Sequence, residues 1–178
     1  MTKKFILTLS LLVISIISCT LKVIYAISTN EPKWYEKVVP GSSSNNYWKS
    51  IAMSSDGSKI AAAVFGGYIY TSTDGGANWT EQTSAGPRNW YSIAISSDGS
   101  KIAAADYGNG FGGYIYTSTD GGATWAQTSA DARYWRSIAI SSDGSKIAAA
   151  DNGNGSGGYI YTSTDGGYLD STNLSRFS

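Results

Sequence analysis

The feature that most constrains the fold of this 178-residue chain is an internal repeat. Residues 88–122 and 133–167 are each 35 residues long and are identical at 31 positions. A less regular copy precedes them, so the repeats run over about 46–87, 88–132 and 133–167. Such self-similarity indicates that one supersecondary unit is stacked on copies of itself. The two closest copies differ only at four pairs of positions: Asn89/Tyr134, Tyr91/Arg136, Tyr107/Asn152 and Phe111/Ser156.

Each repeat carries the pattern of several short strands. In the second copy, residues 90–96 alternate large and small side chains, and further strands are predicted over 101–105, over 114–118 and from about 124. Asp98 and Gly99 predict a two-residue hairpin turn between the first two strands, because both central residues of a type I′ turn need positive φ. A period in the mid-forties with four strands points to a propeller blade. We predict an all-β chain of β-propeller blades, each with four antiparallel strands.

The number of blades is unusual. Trp34 lies 45 residues before Trp79, which predicts that residues 34–39 form a fourth strand without the three that should precede it. The third repeat stops after its third strand, so the chain holds about three blades' worth of strands, whereas closed propellers have four to eight blades. Three interpretations stay open: a shortened product of a longer repeat array, a homodimer that completes a six-bladed ring, or an open three-blade stack with an exposed edge.

Two segments share the pattern Ser-x-Asp-x-Gly-x-x-Trp. It resembles the Asp-box of sialidase-type (BNR) repeats and of propellers similar to the photosystem II assembly factor. The resemblance covers about residues 34–167 and implies that each box is a structural hairpin between the third and fourth strands of a blade. Its Asp would accept hydrogen bonds from turn amides and its Trp would pack between blades. The box residues are Ser72, Asp74, Gly76 and Trp79; Ser118, Asp120, Gly122 and Trp125; and, in a third copy without the Trp, Ser163, Asp165 and Gly167.

The resemblance does not bring an activity with it. Sialidases use three arginines, a Tyr-Glu nucleophile pair and an acid–base Asp, and an Arg-Ile-Pro signature accompanies them. This chain has four arginines and three glutamates in all and lacks Arg-Ile-Pro. We therefore predict that it is not an enzyme.

Composition excludes further classes of site. The chain has no histidine and one cysteine, Cys19, which removes Ser-His-Asp triads and His-ligated zinc and leaves no pattern for a metal or cofactor. Lys+Arg and Asp+Glu are both 13, so no basic footprint for nucleic acid is predicted. We predict no metal, no cofactor and no nucleic-acid partner.

The N-terminus is typical of an exported protein. Lys3 and Lys4 precede an apolar stretch over residues 5–18, which is short for a membrane span. Residues 1–26 are predicted to be a signal peptide cleaved after Ala26, residues 27–33 a linker, and residues 168–178 a tail outside the repeat. Residues 16–19 also fit a bacterial lipobox in which Cys19 is acylated, and an uncleaved anchor is a third possibility. Any membrane association is expected only through this segment.

A triplet that ends in Trp precedes the first strand of each repeat, at residues 46–48, 88–90 and 133–135. It predicts a row of ring faces and donors on one rim of the propeller, suited to a protein or a surface glycan. The alternative is that the tryptophans are core wedges between blades. The predicted function is a binding or scaffold module, with a fragment of a glycoside hydrolase or of an assembly factor as alternatives. The candidate ligand-binding residues are Trp48, Arg88, Trp90, Arg133 and Trp135.

Overall fold

The computed structural model describes residues 34–39, 46–153, 157–163 and 165. The predicted signal peptide, Cys19, the linker, Gly167 and the C-terminal tail lie outside the described residues. Within them the chain is all-β apart from short 3-10 turns, such as Thr83–Ala85, and no helix is long and apolar enough to cross a membrane. The strands are β1 (Tyr47–Met53), β2 (Ile60–Gly67), β3 (Ile69–Ser72), β4 (Thr80–Gln82), β5 (Arg88–Ile95), β6 (Ile102–Asp106), β7 (Ile115–Ser118), β8 (Ala126–Gln127), β9 (Trp135–Ile140), β10 (Ile147–Asp151) and β11 (Ile160–Ser163).

The strands form three antiparallel blades in chain order. Blade 1 is β1–β4, blade 2 is β5–β8 and blade 3 is β9–β11, and consecutive strands pair within each blade. The end of β2 also pairs with the start of β5, through Phe65 opposite Asn89 and Gly67 opposite Arg88. Blades 1 and 2 therefore share one eight-stranded sheet. The predicted fold class, blades of a partial β-propeller, is confirmed.

The prediction of a strand over residues 34–39 was wrong. These residues have no regular secondary structure, and Trp34 is 99% exposed. Val39 is buried against Val64 and Tyr70 of blade 1. A Trp at the expected spacing was therefore not enough to predict a strand here.

The turn predicted at Asp98-Gly99 is also different. The β5–β6 connection is closed by the Ser96 amide, which donates to the Lys101 carbonyl at 2.8 Å, so the loop is longer than two residues. The Gly99 amide donates to the Ser96 carbonyl at 2.9 Å, which makes Gly99 the fourth residue of a β-turn, with φ 69°. Asp98 Oδ1 accepts from the Ser96 hydroxyl and from the Ser100 amide. These bonds give hydrogen-bond partners to the Ser96 hydroxyl and the Ser100 amide and so stabilise the longer loop, as short polar side chains do in turns.

The core lies between blades. Ala61, Ala63 and Ile69 of blade 1 form one buried cluster with Trp90 and Ile93 of blade 2. The alanines leave the room that a Trp ring needs between two sheets. The next boundary repeats this packing with the equivalent residues, Ala103, Ala105, Ile115, Trp135 and Ile138.

Candidate functional site

The tryptophans of the predicted rim triplets are mostly inside the protein. Trp90 and Trp135 are 0% and 1% exposed and lie edge-on to Tyr116 and Tyr161, with ring centroids 5.3 and 5.1 Å apart. Neither ring offers a face to a ligand, so their position is that of the core wedges in the alternative interpretation. Trp48, at the start of blade 1, is 43% exposed.

The two candidate arginines are engaged within their own blades. The Arg88 guanidinium lies 4.4 Å from the centre of the Tyr116 ring, and its Nε donates to the Ala85 carbonyl at 3.2 Å. Arg133 lies 4.7 Å from the Tyr161 ring and forms an ion pair with Asp151 at 3.4 Å. A cation over an aromatic ring is attracted by the negative face of that ring. Both arginines therefore make contacts within the protein, each over the tyrosine ring that packs against a buried tryptophan.

The first Asp-box is a hydrogen-bonded hairpin between β3 and β4. Asp74 Oδ1 accepts from the Asn78 amide at 2.8 Å and from the Ser72 hydroxyl at 2.8 Å. The Trp79 indole nitrogen donates to the Gly76 carbonyl at 3.1 Å. Hydrogen bonds from Asn78, backbone first and then side chain, together with that from Ser72, lower the pKa of Asp74 to about 2.

The second and third boxes show the same bonds where they are described. Asp120 accepts from the Thr124 side chain and amide, and these bonds lower its pKa to about 2. Trp125 donates to the Gly122 carbonyl at 2.8 Å, and the Ser118 hydroxyl donates to Asp120 at 2.8 Å. In the third copy the Ser163 hydroxyl donates to Asp165 at 2.5 Å. Each of these carboxylates accepts hydrogen bonds from residues of its own turn.

A different set of side chains forms the most distinctive surface of the chain. Three of them share one position, directly after the triplet Trp: Lys49 in blade 1, Tyr91 in blade 2 and Arg136 in blade 3. The strand that follows supplies aromatic rings from a second equivalent position, Phe65 and Tyr107. We call this set the aromatic–cation surface; it consists of Lys49, Phe65, Tyr91, Tyr107, Tyr134 and Arg136.

The rings and cations of the aromatic–cation surface alternate across the blades. Lys49 Nζ lies 4.5 Å from the centre of the Tyr91 ring, and the Arg136 guanidinium lies 4.8 Å from Tyr91 and 4.7 Å from Tyr107. Phe65 lies 6.4 Å from Tyr91, and Tyr107 lies 5.5 Å from Tyr91 and 5.1 Å from Tyr134. Side chains of all three blades therefore meet on one continuous surface.

The electrostatics of this surface favour an anion. Neither cation forms an ion pair, since both salt bridges in the described part of the chain belong to Arg133. Burial opposes ionisation of the Tyr91 hydroxyl, but the hydrogen bond and charge of Arg136, with Lys49 adding to them, outweigh it and lower the pKa of Tyr91. Two cations that stabilise a tyrosinate would also stabilise a bound carboxylate or other anion.

The sequence contains a signal for this surface in the positions at which the two nearly identical repeats differ. Four of its members, Tyr91, Tyr107, Tyr134 and Arg136, stand at positions where the two nearly identical repeats differ. A fifth such residue, Asn89, donates to the Gly108 carbonyl at 2.9 Å in the neighbouring loop. Repeats that share one core keep their packing residues, so their differences fall outside the core, where side chains are free to take part in binding. No group of three or more metal-binding side chains exists among the described residues.

The comparisons with known proteins rest on structure. No protein-family model matches the chain, and no curated protein matches it. The structure titled "YCF48 bound to D1 peptide" aligns over 78% of this chain and 42% of its own, with TM-score 0.60 and 17% identity. The GH74 enzyme of Niastella koreensis aligns over 78% of this chain and 19% of its own, with TM-score 0.58 and 25% identity. A nidogen/laminin complex aligns over 67% and 44%, with TM-score 0.55 and 15% identity.

These neighbours agree on the architecture. The fold is that of propeller proteins. It resembles YCF48, a photosystem II assembly factor, and the propellers of GH74 enzymes. The chain spans less than half the length of each of these three structures.

Proposed function

We propose that this chain is a non-catalytic, exported β-propeller module that binds an acidic, extended segment of a partner protein at the aromatic–cation surface. The observation that carries the proposal is that Tyr91 and Arg136, one of the four pairs at which two nearly identical repeats differ, meet on this surface, where neither Arg136 nor Lys49 has an acidic partner. Export is the part of the proposal that depends on the signal-like residues 1–26.

The chemistry of the surface suits a peptide with carboxylates. Lys49 and Arg136 come from the blades before and after that of Tyr91 and lie 4.5 and 4.8 Å from the centre of its ring, so a chain bound at this ring is near both cations. Tyrosine rings add contact area at a low cost in side-chain entropy. The solved complex of a similar propeller, YCF48, with a peptide supports this choice of ligand.

The surface is less suited to glycoside hydrolysis. That reaction uses a pair of carboxylates on either side of the scissile bond. The six residues of the aromatic–cation surface include no Asp or Glu. The similarity to a GH74 enzyme covers 19% of that enzyme's chain, so it bears on the propeller scaffold.

Fluorescence anisotropy tests the proposal. The full chain, kept in mild non-ionic detergent because residues 5–18 are apolar, is titrated into a labelled Asp/Glu-rich decapeptide and into a Lys/Arg-rich decapeptide of equal length. We expect binding of the acidic peptide that weakens as salt is raised, because exposed charges are screened. Arg136→Ala should weaken it by roughly tenfold, the effect of losing one charged contact.

Lys146→Ala is the matched control, since it removes one exposed cation from the opposite end of the β9–β10 hairpin; both variants are compared at a protein concentration at which light scattering gives them the same mass. Equal weakening by both variants would mean that only net charge matters and would contradict a site at Arg136. Tighter binding of a sialylated oligosaccharide than of the acidic peptide would contradict a peptide ligand and indicate a glycan. Binding to none of these probes would refute the proposed function.

A further inference from the structure

We infer that the first and last blades dock onto each other between two copies of this chain, so that two chains form one head-to-tail ring of six blades. The inference follows from the two blade boundaries that already exist inside the chain, which use the same residue types at the same positions. The outward faces of blade 1 and blade 3 present the two halves of a third such boundary.

Blade 1 exposes the face that its successors bury. Ile93 and Ile138, which occupy one repeat position, are 4% and 7% exposed because they pack against the preceding blade. Ile51 holds the same position in blade 1 and is 64% exposed. Trp48 is 43% exposed, against 0% and 1% for its equivalents Trp90 and Trp135. Among the described residues no blade precedes blade 1, and the segment of residues 37–39, which packs there through Val39, leaves Ile51 and Trp48 exposed.

Blade 3 exposes the opposite face. Ile69 and Ile115, which pack against the following blade, are 0% and 1% exposed, whereas the equivalent Ile160 is 66% exposed. The adjoining alanines, Ala148 and Ala150, are partly exposed, although their counterparts in blades 1 and 2 are fully buried. Large apolar side chains grouped on a face in this way mark an interaction surface.

Polar bonds fix the register of each internal boundary. At the first one, the Ile93 amide donates to the Ser50 hydroxyl at 3.1 Å, and Lys59 Nζ donates to the Asp98 carbonyl at 2.9 Å. The Ser55 amide donates to the Ser97 carbonyl at 2.9 Å. The second boundary repeats all three bonds, from Ile138 to Ser92 at 3.1 Å, from Lys101 to Asp143 at 3.0 Å and from Ser97 to Ser142 at 2.9 Å.

The outward faces of blades 3 and 1 carry the donors and acceptors that form these three bonds at the internal boundaries. Blade 3 carries the Ser137 hydroxyl, the Ser142 amide and Lys146 Nζ, all on exposed residues and without a bond across a boundary in the described part of the chain. Blade 1 carries their complements, the Ile51 amide and the carbonyls of Ser55 and Asp56. A second copy of the chain therefore matches both the apolar and the polar half of the interface, which a chemically unrelated partner would match only by accident. Two copies supply six blades, within the four to eight of closed propellers.

Isotope-coded cross-linking tests the docking. Chains at natural abundance and ¹⁵N-labelled chains are unfolded together in denaturant, refolded in mild detergent and treated with a carbodiimide, which joins a Lys amine to a neighbouring carboxylate. In the internal pairs Lys59–Asp98 and Lys101–Asp143 the amine donates to the main-chain carbonyl of the Asp, so these two pairs serve as calibration: they must link before an absent Lys146–Asp56 link is counted. We expect a third link, from Lys146 to Asp56, that joins a labelled chain to an unlabelled one, and a two-chain mass by light scattering.

Ile160→Asp should reduce the mass to that of one chain by weakening association roughly tenfold or more, because a charge would have to be desolvated in the interface. Phe111→Asp is the matched control: Phe111 is 94% exposed and lies on neither face, so its variant should keep the two-chain mass. A one-chain mass for the unaltered protein would overturn the inference. So would a two-chain mass without the Lys146–Asp56 link, or one that survives Ile160→Asp.

Discussion

The Arg136 guanidinium donates a 2.5 Å hydrogen bond to the Tyr91 hydroxyl, although the two residues occupy the same position in successive repeats, 45 residues apart. Unaltered copies would place two tyrosines or two arginines side by side, and two arginines would repel each other. The difference between the repeats has instead created a donor–acceptor pair across the boundary between blades 2 and 3. This pair is the centre of the aromatic–cation surface.

Arg136→Gln should raise the pKa of Tyr91 toward its ordinary value of 10.0, because the hydrogen bond and the charge that lower it are both lost. Absorbance titration at the tyrosinate band should then show one tyrosine ionising at a higher pH than in the parent. Lys49→Gln should produce a smaller shift in the same direction, since Arg136 contributes more. An unchanged titration in Arg136→Gln would contradict the pairing.

The stability of the blades should fall in acid. The pKa values of Asp56, Asp74 and Asp120 are lowered from 3.8 to about 2, in each case by hydrogen bonds within their turns. A lowered carboxyl pKa in the folded state adds stability above the unfolded value, and this stability is lost as pH falls through the folded value. Circular-dichroism melts should therefore show a falling midpoint between about pH 4 and pH 2.

Asp74→Asn tests the origin of that dependence. The variant removes one titrating group but keeps one oxygen acceptor, so its midpoint should be lower than that of the parent near neutrality and should fall less steeply in acid. Identical slopes for parent and variant below pH 4 would show that the Asp74 turn does not contribute.

Trp90→Ala should cost about 3–5 kcal/mol of unfolding free energy, as for other large core residues. Trp48→Ala should cost clearly less, because Trp48 is 43% exposed and Trp90 is fully buried. Urea unfolding measures both free-energy costs. The measurement is made in an Ile160→Asp background, where we expect a single chain, so that no second chain covers Trp48. Equal costs would indicate that Trp48 is covered in the single chain.

Gly108→Ala should destabilise the chain more than Gly110→Ala in the same loop. Both glycines have positive φ, 77° and 82°, where an alanine costs about 1–2 kcal/mol. A Cβ at Gly108 would in addition lie 2.1 Å from backbone atoms of Gly112, whereas at Gly110 it meets nothing within 4 Å. Thermal melts of the two variants compare them directly, and a smaller loss for Gly108→Ala would contradict the close approach of Gly108 to Gly112 within the loop.

Much of the fold was predictable from local sequence. The repeat length, the all-β class and four strands to a full blade follow from a period of two residues along each strand and from turn residues at constant offsets. The positions of the Asp-box hairpins follow in the same way, because Ser72 and Asp74 bond to groups at most four residues away. Such contacts are complete within one repeat, so one sequence is enough to predict them.

Tertiary structure decided what depends on a neighbouring blade. Trp48 and Trp90 have the same place in their repeats, yet one is 43% exposed and the other buried, because blade 1 precedes blade 2 and no described blade precedes blade 1. The strand expected over residues 34–39 is absent, and its spacing from Trp79 did not reveal that Val39 packs against blade 1. Tyr91 and Arg136 meet only because two sheets pack side by side, and a contact between residues 45 positions apart depends on the docking of whole blades.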